Sequence, residues 1–157
     1  MIELPLRAFC LMSNDGEDKI EMTITEVFGF PETTSYAGGY DFKGALVIHA
    51  GSYEVHSQNF YSTTGELYNL NISLEKCYNS LTGTARYNVM YEKNLEFEVS
   101  MIKLGHAIID GTFREYPHLA NELIFQIGTD QTCIRSAIDD LKQIEKLFGD
   151  NKGKQIV

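Results

Sequence analysis

The chain has 157 residues, with 22 acidic against 13 basic side chains, a net charge of −9 and a pI near 4.8. That length suits one domain, and 43% hydrophobic with 22% charged residues is the composition of a folded protein rather than a disordered one. The acidity speaks against a nucleic-acid binder, which needs clustered Lys and Arg to displace counterions, and against docking on anionic membranes.

Ile2 to Met12 reads as a strand that ends at the turn Ser13-Asn14-Asp15-Gly16. Pro5 and Arg7 interrupt its apolar stretch, so the pattern of a signal peptide is missing. No apolar run in the chain reaches the roughly 18 residues of a membrane span. Cys10, Cys77 and Cys133 are odd in number and far apart, which fits neither a disulfide framework nor a CxxC metal site. Free thiols suit a reducing compartment, and a cytoplasmic location is expected.

Lys19 to Thr25 alternates, with Ile20, Met22 and Ile24 on one face and Glu21, Thr23 and Thr25 on the other. This is the period of a half-buried strand. A turn-rich interval runs from Pro31 through Gly38-Gly39. Gly44 to His49 and Ser52 to Phe60 then read as two strands joined at Ala50-Gly51. After Ser62 the period changes. Leu67, Leu70, Leu74, Cys77, Tyr78 and Leu81 fall on one helical face, with Thr63 or Thr64 as cap, Glu66 in the first turn and Gly83 as the stop.

From Thr84 the period returns to two. Tyr87, Val89 and Tyr91 form one inward set; Leu95, Phe97, Val99 and Met101 form the next; Ile109, Gly111 and Phe113, then Leu123, Phe125 and Ile127, complete four. Short connectors favour an antiparallel meander. Ile134, Ala137, Ile138, Leu141, Ile144 and Phe148 mark a C-terminal helix that Gly149 closes, and the polar tail 150–157 is expected to fray. The order ββββαββββα predicts one α+β domain: a large, mostly antiparallel sheet of about eight strands with two amphipathic helices on a face.

Chemistry is sparse. His49 and His56 flank a hairpin turn and could share a metal, but no Cys, third His or HExxH completes a ligand set. His106 enters a strand without a placed nucleophile or orienting carboxylate, and His118 reads as surface. Asp139-Asp140 falls on the solvent side of the last helix. Ala37-Gly38-Gly39-Tyr40-Asp41 matches neither phosphate-binding glycine pattern and reads as a flexible turn. Neither catalytic residues, a cofactor nor a metal is assigned from the sequence.

Charge is the feature that remains. Residues 1–80 carry 11 acidic against 4 basic side chains, a net −7, and residues 81–157 carry 11 against 9, a net −2. Such a field steers a basic partner. Glu96, Glu98 and Glu122 occupy outward strand positions, and Asp15, Glu17 and Asp18 an exposed acidic turn; these six are the candidate partner contacts.

Several segments resemble the WapI-like immunity proteins of bacterial polymorphic toxin systems. They are Tyr40-Asp41-Phe42-Lys43-Gly44, Gly51-Ser52-Tyr53 and Gly65-Glu66-Leu67-Tyr68, then Leu74-Glu75-Lys76-Cys77-Tyr78 and Leu81-Thr82-Gly83-Thr84-Ala85. Gly105-His106, Gly111-Thr112-Phe113 and Thr129-Asp130-Gln131-Thr132 follow in the same order, so the likeness spans about Glu26 to Phe148. The resemblance implies a small, cytosolic, non-enzymatic protein that binds and neutralises the C-terminal toxin domain of a cell-contact system. Such toxins are often nucleases with basic surfaces, and the toxin is expected to be encoded nearby. The resemblance carries over no partner-contact residues. Two other readings stay open: an enzyme or small-ligand protein with a pocket between sheet and helices lined by His49, His56 or His106, and an accessory subunit whose acidity serves only solubility.

Overall fold

Eight strands and two helices follow one another in the expected order through residues 2–154, which the computed structural model describes. β1 (Leu6–Met12), β2 (Lys19–Val27), β3 (Asp41–Ala50) and β4 (Tyr53–Thr63) form one antiparallel meander. After α1 (Thr64–Ser80), a second meander is formed by β5 (Thr84–Asn88), β6 (Leu95–Met101), β7 (His106–Phe113) and β8 (Leu123–Asp130). α2 (Gln131–Phe148) follows directly. The eight strands therefore divide into two sheets of four. The 17 residues of α1 carry the chain away from β4, and β5 starts a new ladder instead of extending the old one.

Alternation explains how the sheets meet. In the first, Phe9, Met22 and Leu46 stand side by side across three strands, as do Leu11, Ile20 and Ile48. In the second, Tyr87, Phe97, Gly111 and Phe125 make one row and Ala85, Val99, Ile109 and Ile127 another. The two sets face each other: the Phe9 ring centroid lies 6.3 Å from that of Tyr87 and 6.0 Å from that of Phe97. One contiguous cluster of buried apolar side chains runs through both sheets and both helices. α2 lies along β1, α1 along β5, and the helices touch each other. Each helix thus shields an edge strand whose unpaired backbone would otherwise invite association.

The α1 N-terminus is a capping box. Thr63 Oγ1 accepts from the Glu66 N–H while Glu66 Oε1 accepts from the Thr63 N–H. At the other end the helix stops at Ser80. Leu81 is its left-handed cap, 40% exposed, rather than part of the buried face. Gly38-Gly39, expected as a flexible turn, is instead packed on this helix start. Gly65 donates its N–H to Gly38 O, and a Cβ on Gly65 would meet the Gly38 backbone. Close backbone approach, which only glycine permits, is the reason for the glycines here.

Two further expectations change. Asp140 is not on the solvent side of α2: its Oδ2 lies 3.0 Å from Arg7 Nε of β1, because this helix face turns toward the sheet edge. Residues 150–154, expected to fray, are hydrogen-bonded to the rest of the fold. Asn151 O accepts from the Gly39 N–H and the Lys154 N–H donates to Tyr40 Oη, so Tyr40 holds the segment against the fold. The rest of the predicted tail, 155–157, lies outside the described residues.

Candidate functional site: the open face of the second sheet

The β5–β8 sheet buries one face and leaves the other uncovered, so its outward residues are fixed by alternation and register. Arg86, Glu98, Asp110 and Gln126 form one row across the four strands. Asn88, Glu96, Thr112 and Ile124 form the next, with Ile124 exposed to 75%. Beyond it, just past the strand ends, Arg114 Nε lies 3.1 Å from Glu122 Oε2, and the Arg114 N–H donates to Asn94 O.

Glu98 and Asp110 are direct cross-strand partners, and Glu96 sits two residues along on the same face. Like charges directly opposite each other destabilise a sheet, by about 0.2–1 kcal/mol. Arg86 pairs with Glu98, and Gln126 Nε2 donates to Asp110 Oδ1 at 2.7 Å. Arg86 and Gln126 thus each engage one of the two opposed carboxylates, and Glu96 has no ion-pair partner among the described residues.

At the α1 corner the face deepens into a depression of about 780 Å³, bordered by Arg86, Asn88, Met90, Asn94, Glu96 and Arg114. Glu66, largely buried, lines it too. Its Oε1 accepts from Ser62 Oγ at 3.1 Å and the Thr63 N–H at 3.0 Å, and its Oε2 from the Met90 N–H at 2.7 Å. Burial pushes the Glu66 carboxyl above its ordinary value, against the pull of these hydrogen bonds. Burial likewise raises Tyr87, whose hydroxyl is hydrogen-bonded with Ser62 Oγ. At the opposite end a groove of about 480 Å³ is lined by Asp15, Ile102, His106, Ile108 and Gly128.

The six sequence-derived contacts separate into groups. Glu96, Glu98 and Glu122 belong to the open face or its border. Asp15 borders the groove at its far end; Ser13 Oγ and the Glu17 N–H donate to it, and these bonds hold its carboxyl below the usual range. Glu17 is exposed on the same turn. Asp18 turns away: its Oδ1 accepts from the Gly51 N–H and lies 3.5 Å from His49 Nδ1, tying two hairpin ends together. Asp110, Arg86 and Ile124 join the face without being among the six. A signal for Asp110 exists, since the inward set Ile109, Gly111 and Phe113 implies that it faces outward.

The histidines occupy different places. His49 and His56 approach Glu54, at 3.4 and 3.7 Å, on the exposed β3–β4 hairpin, whereas His106 lies at the groove beside Asp15. The large depression beside α1 is not lined by any of them. Among the described residues no group of three or more His, Cys, Asp or Glu side chains is arranged to hold a metal ion. Nor is any helix among them long and apolar enough to cross a membrane.

The model of the Immunity protein WapI-like family matches residues 10–149. No curated protein and no solved structure gives a significant match. The matched span takes in all of β2 through α2, and therefore the entire open face.

Proposed function

The chain belongs to the WapI-like immunity protein family, and from that premise we propose that it neutralises a cognate toxin domain by covering the toxin's basic surface with the open face of β5–β8. The observation that carries this reading is the opposed pair Glu98 and Asp110, with Glu96 beside it, in the centre of an uncovered sheet. A cationic group of the partner standing over these carboxylates relieves the repulsion that the free protein tolerates. Glu122 and Asp15 extend the acidic border, and Ile124 supplies apolar area between them. A nuclease domain suits such a face, because a surface built to hold phosphates presents the Arg and Lys that carboxylates can occupy. The protein acts as a stoichiometric, non-enzymatic binder in the cytoplasm, on a toxin encoded near its own gene.

The test pairs the chain with the inactivated toxin domain encoded beside it. Calorimetry at low and high salt should show tight binding that weakens with salt. A Glu96→Lys/Asp110→Lys double variant should bind at least about tenfold more weakly, since rim and central charges govern both the encounter and the fit. Its melting temperature should stay close to that of the wild type, because the lysine that replaces Asp110 would face Glu98 across the strands. A double variant that protects cells as well as the wild type does would remove this surface from the mechanism. A wild-type protein that does not bind the neighbouring toxin would remove the mechanism itself.

A further inference from the structure

The tight connection between β6 and β7 breaks two rules at one residue. The His106 N–H bonds back to Lys103 O, and the two residues between them, Leu104 and Gly105, both have positive φ, at 60° and 76°. A turn with two such central residues is the place for Asn-Gly, Asp-Gly or Gly-Gly. Leucine has neither glycine's freedom nor the short polar side chain that lets Asn tolerate this region, so it is a backbone outlier here. Its side chain recovers nothing in exchange, because Leu104 is 94% exposed.

The other two non-glycine residues with positive φ among the described residues stand in different settings. Leu81 caps α1, donating its N–H to Cys77 O. Lys93, at φ 52°, is a charged side chain in an exposed loop. Among the described residues, Leu104 alone is a bulky apolar side chain held in a disfavoured conformation and presented almost wholly to solvent. Its neighbour Ile102 is half-exposed, and Ile102 and His106 line the 480 Å³ groove that Asp15 borders. Ile108 and Gly128, outward on β7 and β8, continue this groove onto the open sheet face.

We infer that Leu104 is an apolar anchor for the toxin: the turn holds it rigidly outward so that it enters an apolar cleft of the toxin surface, with Ile102 packing beside it. This inference rests on the proposed toxin-neutralising role and extends the interface from the carboxylates of the sheet to its β6–β7 end. The toxin is identified as the occupant by continuity with that face and by charge. Asp15 and Glu17, on the exposed turn at the groove, meet the same basic surface that Glu96 and Asp110 meet. A rigid apolar side chain ringed by polar contacts is the usual composition of an energetic centre in an interface, and holding it in place before binding lowers the ordering cost.

The conformational strain makes a decisive variant available. Leu104→Gly removes the side chain and at the same time relieves the backbone, so the protein should melt at the wild-type temperature or above it. Leu104→Asn provides a second substitution that accepts the same φ. Both should bind the inactivated toxin domain encoded beside the gene at least about tenfold more weakly than the wild type, mainly through faster dissociation. A purely structural role for Leu104 predicts the opposite pair of outcomes, lower stability or unchanged binding. If the wild type binds and both variants bind within twofold of it, the anchor is refuted while the acidic interface stands. If the wild type does not bind at all, the parent reading falls, and this one falls with it.

Discussion

Glu66 offers the most exacting test of how the fold supports the site. It closes the capping box of α1 and also reaches across to the β5–β6 loop, where the Met90 N–H donates to it at 2.7 Å. Glu66→Ala therefore orphans two backbone donors. Thr63 is buried, so its unsatisfied N–H costs about 2 kcal/mol, whereas Met90 is half-exposed and water limits its loss to about 1 kcal/mol. Ser62 Oγ keeps its bond with Tyr87 Oη and adds little. Removing a buried charge returns part of this. The expected net loss is about 2–3 kcal/mol, or about 4–12 °C in melting temperature for a chain of this length. Glu66→Gln keeps one oxygen but turns an NH₂ toward a second donor, and should cost about 1 kcal/mol.

Urea unfolding of the three proteins measures these differences directly. Dependence on pH supplies the sign. Burial raises the Glu66 carboxyl above its ordinary value of 4.5, so the folded state holds this proton more tightly than the unfolded chain does. Stability from this group therefore grows as pH falls through the folded value, and the gain is complete below the unfolded value. Wild type should gain on Glu66→Gln between pH 7 and pH 4. A salt-bridged carboxyl of depressed pKa would lose over the same interval. If Glu66→Ala costs less than about 0.5 kcal/mol, or wild type loses ground on acidification, the buried clamp is misread.

Two further substitutions test the sheet. Asp110→Asn removes the like-charge contact with Glu98 and keeps an acceptor for Gln126, so it should raise stability by about 0.2–1 kcal/mol at low salt. It should at the same time weaken toxin binding; gain in both, or loss in both, would contradict the assigned trade between stability and function. Gly111→Ala would place a Cβ 2.7 and 2.8 Å from Cε1 and Cε2 of the buried Phe125 ring. Denaturant unfolding should show a loss of about 1–3 kcal/mol, as overpacking produces, and a neutral result would mean that the ring moves freely.

The elements are legible in the sequence because both periods are strong. Ile20, Met22 and Ile24 on β2, and Ile134, Ala137, Ile138 and Leu141 on α2, are buried as their spacing demands. What escapes is the relation between segments. Periodicity tells which side of a strand is apolar but not which other sheet covers it, so the division into two sheets cannot be read from it. Gly38 and Gly39 look like a flexible turn because glycine composition does not distinguish freedom from close packing, here against Gly65. The capping box is half visible, with Thr63 as a cap and Glu66 as a first-turn charge, although the spacing Thr63-x-x-Glu66 carries both roles. Asp140 departs from its expected place because a helix exposes its polar face only where no neighbour lies, and Arg7 of β1 lies there. Leu104 leaves no trace, since a leucine beside a glycine does not announce a positive φ.

The distribution of charge is where sequence and structure diverge with most consequence. By position along the chain, acidity is concentrated in residues 1–80, at −7, against −2 for the rest. Yet the opposed carboxylates of the open face, Glu96, Glu98 and Asp110, all belong to the second, nearly neutral half. Much of the first half's charge has local duties: Glu66 clamps a loop, Asp18 holds a hairpin and Glu21 lies within 3.8 Å of Arg7. In the second half, Arg86 is taken up by Glu98 and Arg114 by Glu122 past the strand ends, while Glu96 has no ion-pair partner among the described residues, so a modest net charge hides a local separation of sign. A partner sampling the surface responds to that local field within about one Debye length, near 8 Å at physiological salt, rather than to the sum over the chain. On the proposed function, the same reasoning gives an expected orientation of docking. A basic side chain of the proposed partner would be drawn to Glu96 and Asp110 and turned away from Arg114 at the border. In that proposal the pattern would select a pose as well as a sign of charge.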